Sequence, residues 1–291
     1  MPLSDERLPT GPFRWDLITP DQLGGLLDGA EPPNLWFLPD LVECAGKVLA
    51  RCAEGDLYFV GRSPDSLFDL ISGALSATTW QDRCTRLPLS LWSDPEALTP
   101  AEVAQFRTNM RELGIDPLRL VSSERTVTFI DLVYEGQTYG NLFRLLRRWI
   151  ADEGAAWSVA RLKIRFVGIT EQRKTSPNTW RWYQAAPWAS ELPRRALVGV
   201  SLPERVWDYL GNSQPKTTSS FPVSRWLDEN AGRGPYRPKA QPVALAEAVA
   251  LVAYGRSAEG REALIAAVVK EPTMHEPWLR ALITQLRRTS K

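Results

Sequence analysis

One carboxylate stands near the end of an apolar run, where it could act on a bound ligand. Residues 127–133 read VTFIDLV, and nearly all of these side chains are apolar, most of them β-branched or aromatic. This pattern predicts a strand that is covered on both faces, at the centre of a sheet. Asp131 falls at the carboxyl end of that strand, which is the edge where ligands bind in open α/β folds. Asp131 is therefore the first candidate functional residue.

The residues directly after this strand have the composition of an anion-binding turn. They read Glu135, Gly136, Gln137 and Thr138, and an amphipathic helix is predicted to follow. Gly136 can adopt a positive φ without steric cost, and the Thr138 hydroxyl can cap the helix. Because the first amides of a helix have no internal acceptor, they attract anions. We therefore expect a ligand site in the turn 131–138.

A second strand-to-helix turn is predicted earlier in the chain. Residues 56–61 form a short apolar run, and Arg62, Ser63, Pro64 and Asp65 follow it. Ser63 is a favourable N-cap, Pro64 suits the first helical position, and Asp65 favours the positive end of the helix dipole. The turn is either an ordinary capped helix start or a second ligand-binding segment, and the local residues do not decide between them.

A polar loop over residues 171–188 concentrates aromatic side chains among cations. It includes Trp180 and Trp182, with Arg173, Lys174 and Arg181 around them. Such a group can stack a base or hold a phosphate. The commoner outcome is that the aromatic side chains cover the edge of a sheet.

Histidine and cysteine usage excludes several kinds of site. The chain has one histidine, His275, which removes most triad and histidine-rich metal hypotheses, and its expected place is a surface loop. The three cysteines show no CxxC spacing, which argues against a disulfide framework. No metal ligand set is predicted.

Composition places the chain among ordinary globular proteins. It has 291 residues, 44% of them hydrophobic, and a net charge of +1. The near-neutral charge disfavours nucleic acid as a partner. No apolar run reaches the roughly 20 residues that span a bilayer, and the N-terminal residues do not form a signal peptide pattern. We expect a cytoplasmic protein that does not insert into a membrane.

These candidate residues need a parallel sheet to position them. Apolar runs predict strands at residues 56–61, 87–92, 127–133, 161–170 and 196–201, with amphipathic helices between most of them. Strands that alternate with helices predict an α/β fold with a largely parallel five-stranded sheet. We expect a peripheral segment over residues 1–35, the α/β core over 36–210, a linker over 211–240 and a C-terminal helical appendage over 241–291.

The central motif, FIDLVYEGQT, resembles the ribose-phosphate-binding signature of type I phosphoribosyltransferases. In that signature an apolar strand ends in two adjacent acidic residues, followed by two apolar positions and a Thr/Gly-rich turn. Asp131 falls on the second acidic position, Gly136 on the turn glycine and Thr138 on the closing hydroxyl. The match covers this motif well and extends to the order of elements over residues 40–205.

The resemblance implies a function for each candidate. Asp131 would take the catalytic position and orient ribose hydroxyls, while the amides of residues 136–138 would receive the 5′-phosphate. Arg62 and the amides around Ser63 would face the diphosphate, with Mg²⁺ as the cofactor of an active enzyme. The loop with Trp180 and Trp182 would contact a base. The implied activity is transfer of a phosphoribosyl group, and the implied ligand is a ribose phosphate or a nucleotide.

The motif also departs from the family pattern, which keeps a second hypothesis open. Ile130 stands at the first acidic position, and Tyr134 and Glu135 precede the glycine. These residues suit a protein that keeps the phosphoribosyltransferase fold as a ligand sensor or a protein-interaction module without catalysis. A protein partner and a homodimer are compatible with this hypothesis.

Overall fold

A computed structural model describes residues 9–18, 23–172 and 181–288 of the chain. Among these residues, five strands form one sheet in the order β2-β1-β3-β4-β5, and every neighbouring pair is parallel. The strands are β1 (Asp56–Val60), β2 (Cys84–Leu87), β3 (Val127–Leu132), β4 (Ile164–Glu171) and β5 (Leu197–Leu202). The predicted α/β class and parallel five-stranded sheet are confirmed.

Helices cover both faces of the sheet. They are α1 (Leu38–Arg51), α2 (Asp65–Leu75), α3 (Pro100–Glu112), α4 (Pro117–Ser122), α5 (Gln137–Asp152), α6 (Trp157–Lys163), α7 (Glu204–Asp208), α8 (Gln241–Arg256), α9 (Ala258–Val269) and α10 (Pro277–Arg288). Helices α1, α2, α9 and α10 share one apolar core with the sheet, and α3 and α5 share the other. Within the described residues, no helix is long and apolar enough to span a bilayer.

Strand β3 lies at the centre of the sheet, as its sequence predicts. Phe129 and Ile130 are both fully buried, and they belong to the cores on opposite faces. The register pairs Phe129 with Tyr58 of β1 and with Phe166 of β4. A largely apolar run is therefore favoured here, because neither face of the strand reaches solvent.

Two predicted strands differ from the structure. The edge strand spans Cys84–Leu87 rather than residues 87–92, because Pro88 has no amide hydrogen to continue the ladder. After it, only Ser90 makes an isolated bridge, to Pro222. Likewise, residues 161–163 end helix α6, and strand β4 begins at Ile164. Residues 161–163, which were expected to begin this strand, are the last turn of the helix.

The C-terminal helices form part of the main core. Leu251, Leu264 and Leu282 are buried together with residues of α1, α2 and the sheet. The segment 211–240 also packs inward, because Phe221 and Trp226 are fully buried in the core on the α5 face. The segments expected as an appendage and a linker therefore complete the two layers that cover the sheet.

The sheet changes its winding direction between β1 and β3. Helix α2 follows β1 and packs on one face, whereas α5 follows β3 and packs on the other. Because β1 and β3 are neighbours, their two following helices diverge at the carboxyl edge of the sheet. Such a topological switch point leaves a crevice, and it is the usual ligand site of open α/β sheets.

Candidate functional site

The structure has an open crevice at this switch point. Its volume is about 270 Å³, and it is lined by the turn 131–139 together with Ser63, Trp92, Trp207 and Asn212. The turn after β1, the loop after β2, the turn after β3 and the end of α7 with the segment that follows it thus meet in one place. Six of the predicted site residues line the crevice, namely Ser63, Asp131, Glu135, Gly136, Gln137 and Thr138.

Asp131 is buried at the inner wall of the crevice. Its residue surface is only 7% exposed, and no described side chain donates a hydrogen bond to its carboxylate. Burial raises the pKa of Asp131 well above its ordinary value, and the Leu132 amide and the Lys216 charge offset this only in part. Burying a carboxylate that has no side-chain donor costs folding free energy. Asp131 is therefore a candidate for a functional role.

The hydroxyl of Tyr139 does not donate a hydrogen bond to the Asp131 carboxylate. It donates to the carbonyl of Val167 at 2.8 Å and contacts that of Phe129 at 3.2 Å. Tyr139 is fully buried, so it ties the start of α5 to the two central strands. The turn that carries the candidate residues is therefore held rigidly against the sheet.

Gly136 sets the geometry of this turn. It adopts φ 81° and ψ 19°, as its sequence position predicts, and it is the N-cap of α5. A Cβ at this position would lie 3.0 Å from Cε3 of Trp182. Both the positive φ and the close approach of an indole ring favour glycine.

The predicted cap of α5 is wrong. The helix begins at Gln137, so Thr138 is its second residue and cannot cap it. Within the part of the chain that the structure describes, no group accepts a hydrogen bond from the backbone amides of residues 137–139. These amides line the crevice with free donors, beside the buried Asp131. Such an arrangement can receive an anion or an ester oxygen.

The two departures from the family signature lie on different sides of the strand. Ile130 is fully buried in the core on the α2 face, so it does not reach the crevice. Glu135 is exposed and lines the crevice, where its charge is screened by water. Asp131 is therefore the one carboxylate that the strand itself directs to the site.

The turn after β1 contributes less than the sequence suggests. Ser63 lines the crevice, but α2 begins at Asp65 with Pro64 as its N-cap and no side-chain cap. Ser63 is therefore not the cap. Arg62 lies outside the lining, because its Nη1 donates to the carbonyl of Thr218 at 3.0 Å.

Trp182 is a core side chain rather than a contact for a base. It is 1% exposed, and its Nε1 donates to the carbonyl of Val198 at 3.2 Å. Its ring packs behind Gly136 and beside Tyr139, with the ring centroids of Trp182 and Tyr139 5.2 Å apart. Trp182 thus packs against the buried side of the turn 131–139. Trp180 lies outside the described residues.

Sequence reasoning missed four lining residues outside the turn 131–139, namely Trp92, Trp207, Gly211 and Asn212. Trp92 was assigned to a strand, and Trp207 to a helix that follows the last strand. In the structure both side chains reach the carboxyl edge of the sheet, and Trp92 is 74% exposed. The local sequence around Trp92 offers only a tryptophan near polar residues. Without the topology of the sheet, this does not predict a position at the crevice.

The crevice has little positive charge. As far as the described residues define it, the lining contains no lysine or arginine. Lys216 lies nearby, but its ammonium donates to the carbonyl of Leu210 and to Gln214 Oε1, both at 2.7 Å. Burial is the main reason that the pKa of Lys216 falls to about 8. The described residues also contain no cluster of three His, Cys, Asp or Glu side chains that could hold a metal.

Comparison of the chain with protein-family models, with curated proteins and with solved structures finds no match in any of the three. The function must therefore be argued from the crevice itself.

Proposed function

We propose that the crevice binds a ribose phosphate or a nucleotide. Asp131 accepts hydrogen bonds from the sugar hydroxyls, and the free amides at the start of α5 receive the phosphate. The observation that carries this proposal is the buried Asp131 carboxylate. Among the described residues it has no side-chain donor, and it lines the same open cavity as the first residues of α5, whose amides have no acceptor there. Acceptor and donors are thus arranged for a ligand that has hydroxyls at one position and an anionic group at the next.

The free energy of binding should favour a ligand that offers hydroxyl donors to Asp131 and an anionic group to the α5 amides. A buried polar group that lacks a partner costs about 1–3 kcal/mol, and a ligand hydroxyl that donates to it removes this cost. The amides of residues 137–139 can donate to an anionic group of the ligand, and the buried Tyr139 hydroxyl holds the turn that carries them against the two central strands. Rigid placement lowers the entropy lost on binding.

The phosphoribosyltransferase kind of fold belongs to the same proposal. The parallel sheet and the strand-turn-helix unit around Asp131 support it. In an active enzyme, Asp131 and Glu135 are the carboxylates that would hold Mg²⁺, together with the phosphates of the substrate, as is usual for this ion. The ion would supply charge neutralisation for the diphosphate. The chain itself would orient the ribose and hold its phosphate.

Binding without transfer is the second candidate function. Two observations favour it: Ile130 is buried in the core instead of supplying a second carboxylate, and the described lining lacks a cation for a diphosphate. Such a protein would report the presence of a nucleotide to a partner. Both candidates share the same binding site, so binding can be tested first.

Calorimetric titration tests the site. We expect ribose 5-phosphate, or phosphoribosyl diphosphate with Mg²⁺, to release heat with the wild type and to lose affinity by tenfold or more in Asp131→Asn. Asp82→Asn is the matched control, because Asp82 is exposed and lies outside the crevice. If no sugar phosphate or nucleoside monophosphate binds, the proposed function fails.

A separate assay divides the two candidates. Incubation with phosphoribosyl diphosphate, Mg²⁺ and each nucleobase should release diphosphate if the protein is a transferase. Binding without diphosphate release, under conditions in which a known transferase reacts, supports the sensor.

A further inference from the structure

Three aromatic side chains surround the mouth of the crevice, and we call them the aromatic rim: Trp92, Tyr134 and Trp207. They come from three different elements, the loop after β2, the turn after β3 and helix α7. Trp92 is 74% exposed and Tyr134 is 59% exposed. Large aromatic side chains that are exposed together on a protein surface often mark a binding site.

The loop that presents Trp92 is tied to helix α5. The buried side chain of Asn141 donates to the carbonyls of Leu91 at 2.8 Å and of Ser93 at 3.0 Å, on both sides of the tryptophan. The Gln137 side chain also reaches the Trp92 carbonyl, at 3.4 Å. The backbone at Trp92 is therefore fixed to the helix whose first amides line the crevice. The indole is exposed although its backbone is fixed.

The opposite side of the rim is also fixed. Nε1 of Trp207 donates to the carbonyl of Ile169 at 2.9 Å, so its polar atom is used by β4. The ring of Tyr134 lies against it, with a centroid distance of 6.4 Å. These two rings lie together at the mouth of the crevice. Trp92 lies at the mouth on a separate element, the loop after β2.

The size of the crevice suits a ligand that extends past its mouth. Its volume of about 270 Å³ lies near the lower end of the range of small-molecule sites, about 300–1,000 Å³. A ribose phosphate fills the inner part, beside Asp131 and the α5 amides. A planar ring attached to the sugar then lies at the aromatic rim.

Charge limits the number of phosphates. The described lining carries Asp131 and Glu135 but no lysine or arginine. Two like charges about 4 Å apart repel strongly even at an effective dielectric constant of about 20. A single phosphate can be served by the helix amides alone, whereas each further phosphate lacks a cation. The site therefore favours a ligand with one phosphate.

We propose that the ligand is a nucleoside monophosphate whose base stacks on Trp92. This inference rests on the proposed function, because it places the sugar phosphate beside Asp131. It goes further in naming the base platform and the phosphate number. The aromatic contact thus moves from the loop at 171–188, where the sequence suggested it, to the loop after β2.

The test compares ligands with and without a base. Dissociation constants are measured by calorimetry for AMP, GMP, CMP, UMP and ribose 5-phosphate. We expect at least one monophosphate to bind about 5- to 100-fold tighter than ribose 5-phosphate, which is the typical contribution of one base on one aromatic ring. ADP without Mg²⁺ should bind more weakly than AMP.

Variants then assign the contact to Trp92. Trp92→Ala should remove most of the advantage of the base and leave ribose 5-phosphate within about twofold, and Trp92→Phe should restore part of it. Tyr236→Ala is the matched control, an exposed aromatic outside the crevice. If ribose 5-phosphate binds but no base adds affinity, or Trp92→Ala weakens all ligands equally, the inference is overturned while the proposed function stands. If no ligand binds, both fail.

Discussion

Two neighbouring strands of the sheet each lead into a helix through a turn with a buried aspartate, and the two aspartates have opposite surroundings. Asp65, at the start of α2, accepts from Arg86 at 2.9 Å and lies 3.4 Å from Arg14. Asp131, beside the start of α5, has no donor side chain among the described residues. The first turn is closed by arginines, and the second is open to a crevice.

The pKa values of the two carboxyls show the consequence. Burial acts to raise the pKa of Asp65, but Arg86 and Arg14 more than offset it and hold this pKa below its usual range. For Asp131, burial prevails and the pKa is raised. A buried carboxyl with side-chain partners is part of the fold, whereas a buried carboxyl that has a backbone amide but no side-chain donor, and that lies next to a cavity, is available for a ligand.

Removing a partner of Asp65 should have the largest effect on stability. Arg86→Met leaves Asp65 with Arg14 and the charge of Lys216, and we expect a loss of about 3 kcal/mol, the lower end for a broken buried pair. Arg125→Met is the control, because its pair with Asp56 is exposed and should contribute less than about 1 kcal/mol. Urea denaturation measures both. Equal losses in the two variants would show that the Asp65 pair is not special.

The open turn should instead be sensitive at its backbone. Gly136→Ala combines a positive φ with a contact to the Trp182 ring, so we expect a loss of about 1–3 kcal/mol and a weaker ligand affinity. Gly154→Ala meets no atom within 4 Å and has only the positive φ to accommodate. A smaller loss in Gly154→Ala, with unchanged affinity, is the expected contrast. Equal behaviour of the two variants would contradict a role for Trp182 as a support.

Two serines that are close in sequence sharpen the comparison at smaller magnitude. Ser66 is buried and accepts from Gln214 Nε2 at 2.6 Å, so Ser66→Ala should cost about 1 kcal/mol of stability. Ser63 lines the crevice, so Ser63→Ala should keep stability within about 0.5 kcal/mol. It should weaken ligand binding by about 2- to 10-fold. A loss of stability in Ser63→Ala with unchanged affinity would place this serine in the fold rather than in the site.

The open turn could be predicted from sequence because its signals are local. An apolar strand, one acidic residue and a glycine with positive φ are all contained in residues 127–137. Its cap was misassigned because both Gly136 and Thr138 are acceptable caps, and only the helix start at Gln137 decides between them.

The closed turn could not be predicted, since its partners come from distant segments. Arg86 lies 21 positions after Asp65 in the chain, and Arg14 comes from the N-terminal segment that precedes helix α1. Ser63, Pro64 and Asp65 have the pattern of a helix cap. This pattern does not predict that Arg14 and Arg86 pair with Asp65. Trp182 is a similar case, because a tryptophan in a polar loop gives no sign that it packs behind Gly136.

The central claim is that the Asp131 carboxylate, which has no side-chain donor among the described residues, is available to a ligand. The pH dependence of the Asp131→Asn variant tests this claim most directly. Because the pKa of Asp131 is raised in the folded state, its contribution to stability is complete below the unfolded pKa and is lost as pH rises through the folded pKa. The asparagine variant does not titrate there. In that window its advantage over the wild type should therefore grow by up to about 1.4 kcal/mol per pH unit.

The measurement is the free energy of unfolding of both proteins in urea, from pH 5 to pH 8, with ligand affinity determined on the same samples. The account predicts that Asp131→Asn is more stable than the wild type at pH 8 and binds the sugar phosphate at least tenfold more weakly. A variant that is less stable at pH 8, with unchanged affinity, would show that Asp131 supports the fold and not a ligand.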